Sequence, residues 1–236
     1  YYAAFLLACF YGFALMQKSY ILTILVPVAV YSLLQKKYFY FIKYCFVVIA
    51  VVFSITLFAN ADIKFDIKEN EKNTFVENIA ELCSGIQDRI LLVPGKIVGE
   101  WFDVIPEQKS YLYGDGYRLL AKIKGTEFVN YSIELYPILR PEYIERGLQG
   151  SVNAASFMYD YANFGVLGLI LSGILLSLLL VLIELIFAFD FQNKLSLNLF
   201  NIMILSSAAL STTILSGGWF FVILLYVLFK KQLTNV

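Results

Sequence analysis

The chain has 236 residues, of which 60% are hydrophobic, 17% aromatic and only 15% charged, and its mean hydropathy is +0.73. Soluble domains carry about 25% charged residues, so this composition excludes intrinsic disorder and argues against a single soluble domain. Eighteen Lys and Arg balance eighteen Asp and Glu, which leaves no basic field for nucleic acid. The chain has no His, so it has neither His-based catalysis nor His-ligated metal. Three cysteines, Cys9, Cys45 and Cys83, cannot build a disulfide framework or a clustered zinc site.

The apolar residues gather in six runs, at about 1–16, 20–34, 38–59, 163–188, 197–215 and 217–229. A membrane span needs about 20 apolar residues at 1.5 Å each. The third and fourth runs reach that length. The second contains Pro27, which predicts a kink. The first opens on Tyr1 with no charged leader, which reads as the C-terminal part of a longer membrane protein rather than a signal peptide. Lys36, Lys37, Lys43, Lys194, Lys230 and Lys231 flank the runs on one side and only Lys18 on the other, so the positive-inside rule puts the six on the cytoplasmic face. The expected fold class is an all-α integral membrane protein of about six transmembrane helices. Three lie in 1–59 and three, with a short tail, in 163–236. Residues 60–162 form one large, mostly helical extracytoplasmic loop.

That loop carries eleven cations and sixteen carboxylates. A structureless loop of this length is improbable. Thr74-x-x-Glu77 fits a capping box, and Phe75, Ile79, Leu82, Ile86 and Ile90 recur at helical spacing. Pro94 suits the first turn of a second helix whose apolar face is Ile97, Val98, Trp101, Phe102 and Ile105. Gly114 and Gly116 mark a turn. Leu119, Leu120 and Ile123 suggest a short helix ending at Gly125. Pro137 and Pro141 bracket Arg140 in a stretch expected to be extended or turning. Phe157, Tyr159, Tyr161 and Phe164 form a predicted aromatic belt where the chain re-enters the bilayer. Amphipathic, aromatic-rich helices of this kind belong on a membrane surface.

All four arginines, Arg89, Arg118, Arg140 and Arg146, lie in the loop. Guanidinium offers a planar donor fork that binds phosphate bidentately and stays charged at any physiological pH. The structural alternative is that these arginines pair with neighbouring carboxylates, Arg89 with Asp88 or Glu81 and Arg146 with Glu142 or Glu145. Asp160 sits close to the membrane edge, where an ionised group is expensive unless it is wet or functional. The alternative there is an N-terminal helix Asp favoured by the macrodipole of the fourth span. Glu184 is read as structural. There is no G-x-S-x-G elbow, no P-loop and no D-x-D pair for a metal.

Two stretches carry a family resemblance. One is Arg89-Ile-Leu-Leu-Val-Pro94-Gly95 followed by Trp101-Phe102. The other is Tyr136-Pro137-Ile-Leu-Arg140-Pro141, then Gly150-Ser-Val-Asn153-Ala, then Asp160-Tyr161-Ala-Asn163-Phe164-Gly165-Val-Leu-Gly168. Together they resemble the C-terminal half of the bacterial oligosaccharide repeat-unit polymerases, the Wzy-type O-antigen and capsule polymerases. Those proteins also place one large outer loop three spans before the C-terminus. The family's R-x10-G elements are not matched, because nine residues separate Arg89 from Gly99 and Arg140 from Gly150. Family ligases depend on a loop His that this chain lacks, which favours a polymerase over an O-antigen ligase.

The resemblance implies a GT-C-type membrane glycosyltransferase. It would join undecaprenyl-pyrophosphate-linked repeat units into O-antigen, capsular or exopolysaccharide chains at the outer face of the inner membrane. Arg140 and Arg89 are then expected at the pyrophosphate, with Arg146 third. Asp160 or Glu142 would take the proton of the acceptor hydroxyl, and Asn153 would hold a sugar hydroxyl. Trp101, Tyr111, Tyr136 and Tyr161 would stack on sugars, helix packing being the plainer role for Trp101. No metal or cofactor is implied. Chain-length regulators and flippase proteins are the implied protein partners, with the bilayer and the lipid-linked glycan. The other readings are an O-antigen ligase-like transferase and a polysaccharide flippase. A flippase should show charged or broken helices at mid-membrane, whereas the polar residues here sit in one outer loop.

Overall fold

The computed structural model describes residues 19–64 and 92–233, together with Phe10. The capping box at Thr74, the helical face from Phe75 to Ile90, Arg89, Cys9 and Cys83 lie outside the described residues. Among the described residues every regular element is a helix, as the composition predicts. The chain divides into two compact units, one holding residues 1–74 and 183–202 and the other residues 75–182 and 203–236.

In the first unit, α1 (Ser19–Leu34) and α2 (Tyr38–Lys64) form a helical hairpin. Its turn is made at Lys36, which adopts φ 58°, while the amides of Lys36 and Lys37 bond the carbonyls of Leu33 and Ser32. Leu25 is buried against Tyr44, Val47, Val48 and Val51 of α2. Pro27 lies inside α1, which continues through it. The C-terminal end of α9 (Val166–Ile186) and most of α10 (Phe191–Ile204) belong to the same unit. Asp190 caps α10 by accepting from the Asn193 amide at 3.1 Å. Glu184 pairs with Lys194 at 2.7 Å. Gln35 Nε2 donates to Gln192 Oε1 at 2.6 Å. The turn after α1 and the start of α10, which carry Lys36, Lys37 and Lys194, are therefore neighbours.

The second unit is built around Trp101. Helix α3 (Val93–Val104) starts with Pro94 in its first turn, as the sequence predicts. It buries Trp101, Val104 and the following Ile105 against Tyr131, Leu135, Val152, Met158 and Tyr161. Phe102, read from the sequence as part of that apolar face, is 40% exposed. Helix α4 (Arg118–Lys124) ends at Gly125 in the left-handed conformation. Its predicted apolar face points outward, since Leu119 and Ile123 are more than 70% exposed and Ala121 is the buried residue.

Three single-turn helices follow: α5 (Tyr131–Glu134), α6 (Tyr136–Leu139) and α7 (Pro141–Glu145). The stretch around Arg140 is thus turning, one of the two expected forms: two single helical turns meet at Arg140, which is itself non-helical at φ −138° and ψ 55°. Pro137 and Pro141 each occupy a first helical turn, where the missing amide hydrogen leaves no bond unmade. Arg140 is the one-residue break between them.

Helix α8 (Ser156–Phe164) precedes α9 and is separated from it by Gly165 at φ 62°. The predicted aromatic belt divides accordingly. Tyr161 and most of Tyr159 are core, and only Phe157 is exposed. Among the described residues α9 is the one helix long and apolar enough to cross a membrane, with a mean hydropathy of 3.0 over its span. The fifth apolar run is not continuous. Helix α10 stops at Ile204, and α11 (Leu210–Leu215) starts after a break. The Ser206 hydroxyl donates to the Met203 carbonyl at 2.8 Å, and the Ser156 amide donates to the Leu205 carbonyl at 2.8 Å. These bonds satisfy groups that a continued helix would have used. Gly218, at φ 77°, then leads into α12 (Trp219–Leu233).

Candidate functional site

Residues 160–168 organise the second unit. The carbonyls of Ala162 and Asn163 accept from the amides of Leu112 and Tyr113 at 2.9 and 2.8 Å. Asn163 is 2% exposed, and its Oδ1 accepts from the amides of Gly114 and Gly116 at 3.1 and 3.0 Å. Its Nδ2 donates to the Tyr159 carbonyl at 2.7 Å. One buried side-chain amide therefore fastens the 111–117 turn onto the end of α8. Gly116 permits this, because a Cβ there would lie 2.5 Å from Asn163 Nδ2. Gly168 permits a second close approach, because a Cβ would lie 2.0 Å from the Asp160 carbonyl oxygen. The first turn of α9 rests directly on the backbone of α8 there.

The fastened turn delivers Tyr117 to Asp160. The Tyr117 hydroxyl donates to Asp160 Oδ1, and its ring stacks on Phe164 with centroids 6.3 Å apart. Asp160 is 8% exposed, and among the described residues its Oδ2 has no hydrogen-bond partner. Burial pushes the Asp160 carboxyl above the usual carboxylate range, while nearby Ser172 and Tyr117 pull the other way. Burial, and then the Asp160 carboxylate, push the Tyr117 phenol well above its ordinary value. Asp160 is in the middle of α8 and not at the N-terminus of the span, so the helix macrodipole does not account for it.

A cavity of about 990 Å³ opens beside this pair, at the upper end of the size range of ligand sites. Its polar wall includes Asp160, Tyr117, Arg118, Lys122 and Asn153. Its apolar wall includes Leu171 and Leu175 of α9 and Leu215 of α11. The broken segment Ser207-Ala208-Ala209 lines it too. Arg118 lies over the Phe128 ring at 5.1 Å, and among the described residues no carboxylate pairs with it.

The residues singled out in the sequence fall in different places. Asp160 and Asn153 line the cavity; Arg140, Arg146, Glu142, Trp101, Tyr136 and Tyr161 do not. The fork of Arg140 is filled. Nη1 and Nη2 donate to the two carboxylate oxygens of Glu100 at 3.1 and 2.9 Å. This bidentate pair holds the guanidinium even further above its already high range. Glu100 lies forty residues upstream, beyond the neighbouring carboxylates that sequence spacing suggests as partners. Arg146 and Glu142 are exposed.

Trp101 has no exposed surface and donates Nε1 to the Val152 carbonyl at 3.1 Å, so it is core and offers no face to a sugar. Tyr161 is also core. It donates to the Ile105 carbonyl at 3.2 Å, and its phenol is pushed up to about 12 by Tyr111 and by burial. Tyr136 is half-buried with its ring against Gly150, and Tyr111 is half-buried and packs edge-on to Tyr161.

No family model, curated protein or solved structure matches the chain.

The sequence passed over Tyr117 and Glu100, and it named Arg118 only as one of four loop arginines without a role. Gly114-x-Gly116 signalled the turn that places Tyr117 and Arg118, but nothing in the local pattern says what a turn packs against.

Proposed function

We propose that the chain works as a membrane-embedded glycosyltransferase that polymerises undecaprenyl-diphosphate-linked oligosaccharide repeat units at the outer face of the bacterial inner membrane. The observation that carries this reading is Asp160: a buried carboxyl with one unpartnered oxygen, lining a cavity with a cationic, polar wall and an apolar wall contributed by a membrane-length helix. Such a cavity suits an amphiphile with an anionic head group. Six spans, with residues 60–162 outside, complete the proposal. The neighbouring positions of the Lys36-Lys37 turn and the start of α10 support it, since the positive-inside rule needs both on one face.

In the proposed reaction a hydroxyl of one lipid-linked repeat attacks the anomeric carbon of the growing glycan. The new glycosidic C–O bond forms as the C–O bond to the diphosphate breaks. Undecaprenyl diphosphate leaves with the electron pair, and the hydroxyl proton passes to the Asp160 carboxylate. A carboxyl raised above its ordinary range is a stronger base for this than an ordinary one. Arg118 and Lys122 face the charge that develops on the leaving diphosphate; one preorganised cation there is worth about 3 kcal/mol. Arg118 takes the part that the sequence gives to Arg140, whose donors Glu100 already occupies. The test is reconstitution of the full-length protein in liposomes with purified lipid-linked repeat units. Products of two or more repeats, lost in Asp160→Ala and reduced about a hundredfold in Arg118→Ala, are expected. Chain growth that is unchanged in both variants contradicts the proposal.

A further inference from the structure

Asp160 has two hydroxyl donors beside it, Tyr117 and Ser172. Oδ1 accepts from Tyr117, whereas Oδ2 is buried and unpartnered among the described residues. Tyr117 has little freedom to leave. Asn163 fastens the turn before it through two backbone amides, and Phe164 stacks on its ring. A phenol fixed in this way sets the orientation of the carboxyl. We propose that Tyr117 is the positioning residue of the site: its hydroxyl holds Asp160 through Oδ1 and so fixes the carboxyl that accepts the proton of a ligand hydroxyl. This rests on reading Asp160 as the base of the reaction above.

A donor to the ionised form favours that form, so Tyr117 limits the rise that burial imposes on Asp160. Its own phenol is raised and therefore remains a donor. The other charged or titratable side chains of the cavity are Arg118 and Lys122 on α4, Tyr131 on α5 and Tyr159 on α8. Helices α9 and α11 contribute uncharged groups only, such as Ser172 near the carboxyl and Ser211 and Thr212 on the cavity wall. Removing the Tyr117 hydroxyl thus removes the one phenol bonded to Asp160 and leaves the surrounding charges in place.

The experiment titrates the protonated carboxyl band of Asp160 by infrared difference spectroscopy. It uses the full-length protein in lipid nanodiscs, with Asp160→Asn identifying the band. Tyr117→Phe should move the midpoint up by about one pH unit, the scale of one hydrogen bond to a charged group. Replacing Tyr117 by 3-fluorotyrosine, a stronger donor of nearly the same shape, should move it down. The acidic limb of the polymerisation rate should follow in both directions. Midpoints that stay put, or that move the same way in both variants, overturn the inference, because altered packing alone has no reason to change sign with donor strength. If the midpoints move as stated but the wild-type protein extends no chains, the hold of Tyr117 on Asp160 stands and the polymerase reading falls. If chains grow normally and the midpoints do not move, the polymerase reading stands and the role of Tyr117 falls.

Discussion

Asp160 reverses the usual contribution of a carboxylate to stability. A salt-bridged Asp has a depressed folded pKa and stabilises the fold above its unfolded value. Burial raises the folded pKa of Asp160 above 3.8, so the folded chain binds more protons than the unfolded chain as pH climbs past that value. Stability is then lost with rising pH. Asp160→Asn removes the ionisable group and keeps an oxygen for Tyr117. In thermal unfolding of the solubilised protein, the Tm difference should favour the variant most at pH 8 and narrow as the pH falls towards 4. A difference that is flat with pH would mean that the carboxyl is not desolvated. Asp160 and Asn163 were both visible in the sequence as polar residues in an aromatic, apolar stretch, where such groups must be bonded or functional. Their partners were not visible, because Gly114, Gly116 and Tyr117 reach them across more than forty residues.

The elements between residues 92 and 164 follow local rules closely where those rules are strong. Pro94 begins α3 and Gly125 ends α4. The rules fail where long-range bonds take over. The fifth apolar run breaks at Leu205 because its carbonyl receives the first amide of α8 and the serines that follow turn back onto the last helical turn. The junction at Arg140 behaves alike. Two helical turns meet there, and the guanidinium of Arg140 ties that junction to α3 through Glu100. Both side chains are about one-fifth exposed. A double-mutant cycle with Glu100→Ala and Arg140→Ala should therefore return a coupling of about 1 kcal/mol in unfolding free energy. Zero coupling, with activity lost in Arg140→Ala alone, would return Arg140 to the substrate.

At the scale of the whole molecule, composition made the all-helical class of the described residues legible, whereas the topology drawn from Lys placement belongs to the proposal. Hydropathy could not distinguish a span from a broken helix, since 197–215 is apolar on average, yet it carries Asn198, Asn201, Ser206, Ser207, Ser211, Thr212 and Thr213, and the helix stops just before the Ser206-Ser207 pair. Cysteine substitutions at Ser110 and Gln192, in a full-length background without other cysteines, should react with a membrane-impermeant maleimide at the first site only in intact cells. Labelling of both from outside would overturn the proposed orientation.

The most direct test of the central claim uses a strain that lacks its own copy of the gene and reads surface-glycan length on a gel. The full-length gene and its Asp160→Asn, Arg118→Ala and Arg140→Lys alleles are compared at matched protein level. The expected result is a ladder of repeat units with the wild type and with Arg140→Lys. Asp160→Asn should leave single repeats, and Arg118→Ala a greatly shortened ladder. Long chains that form without the gene, and fail only to reach the cell surface, would contradict polymerisation and point instead to polymer ligation or transport.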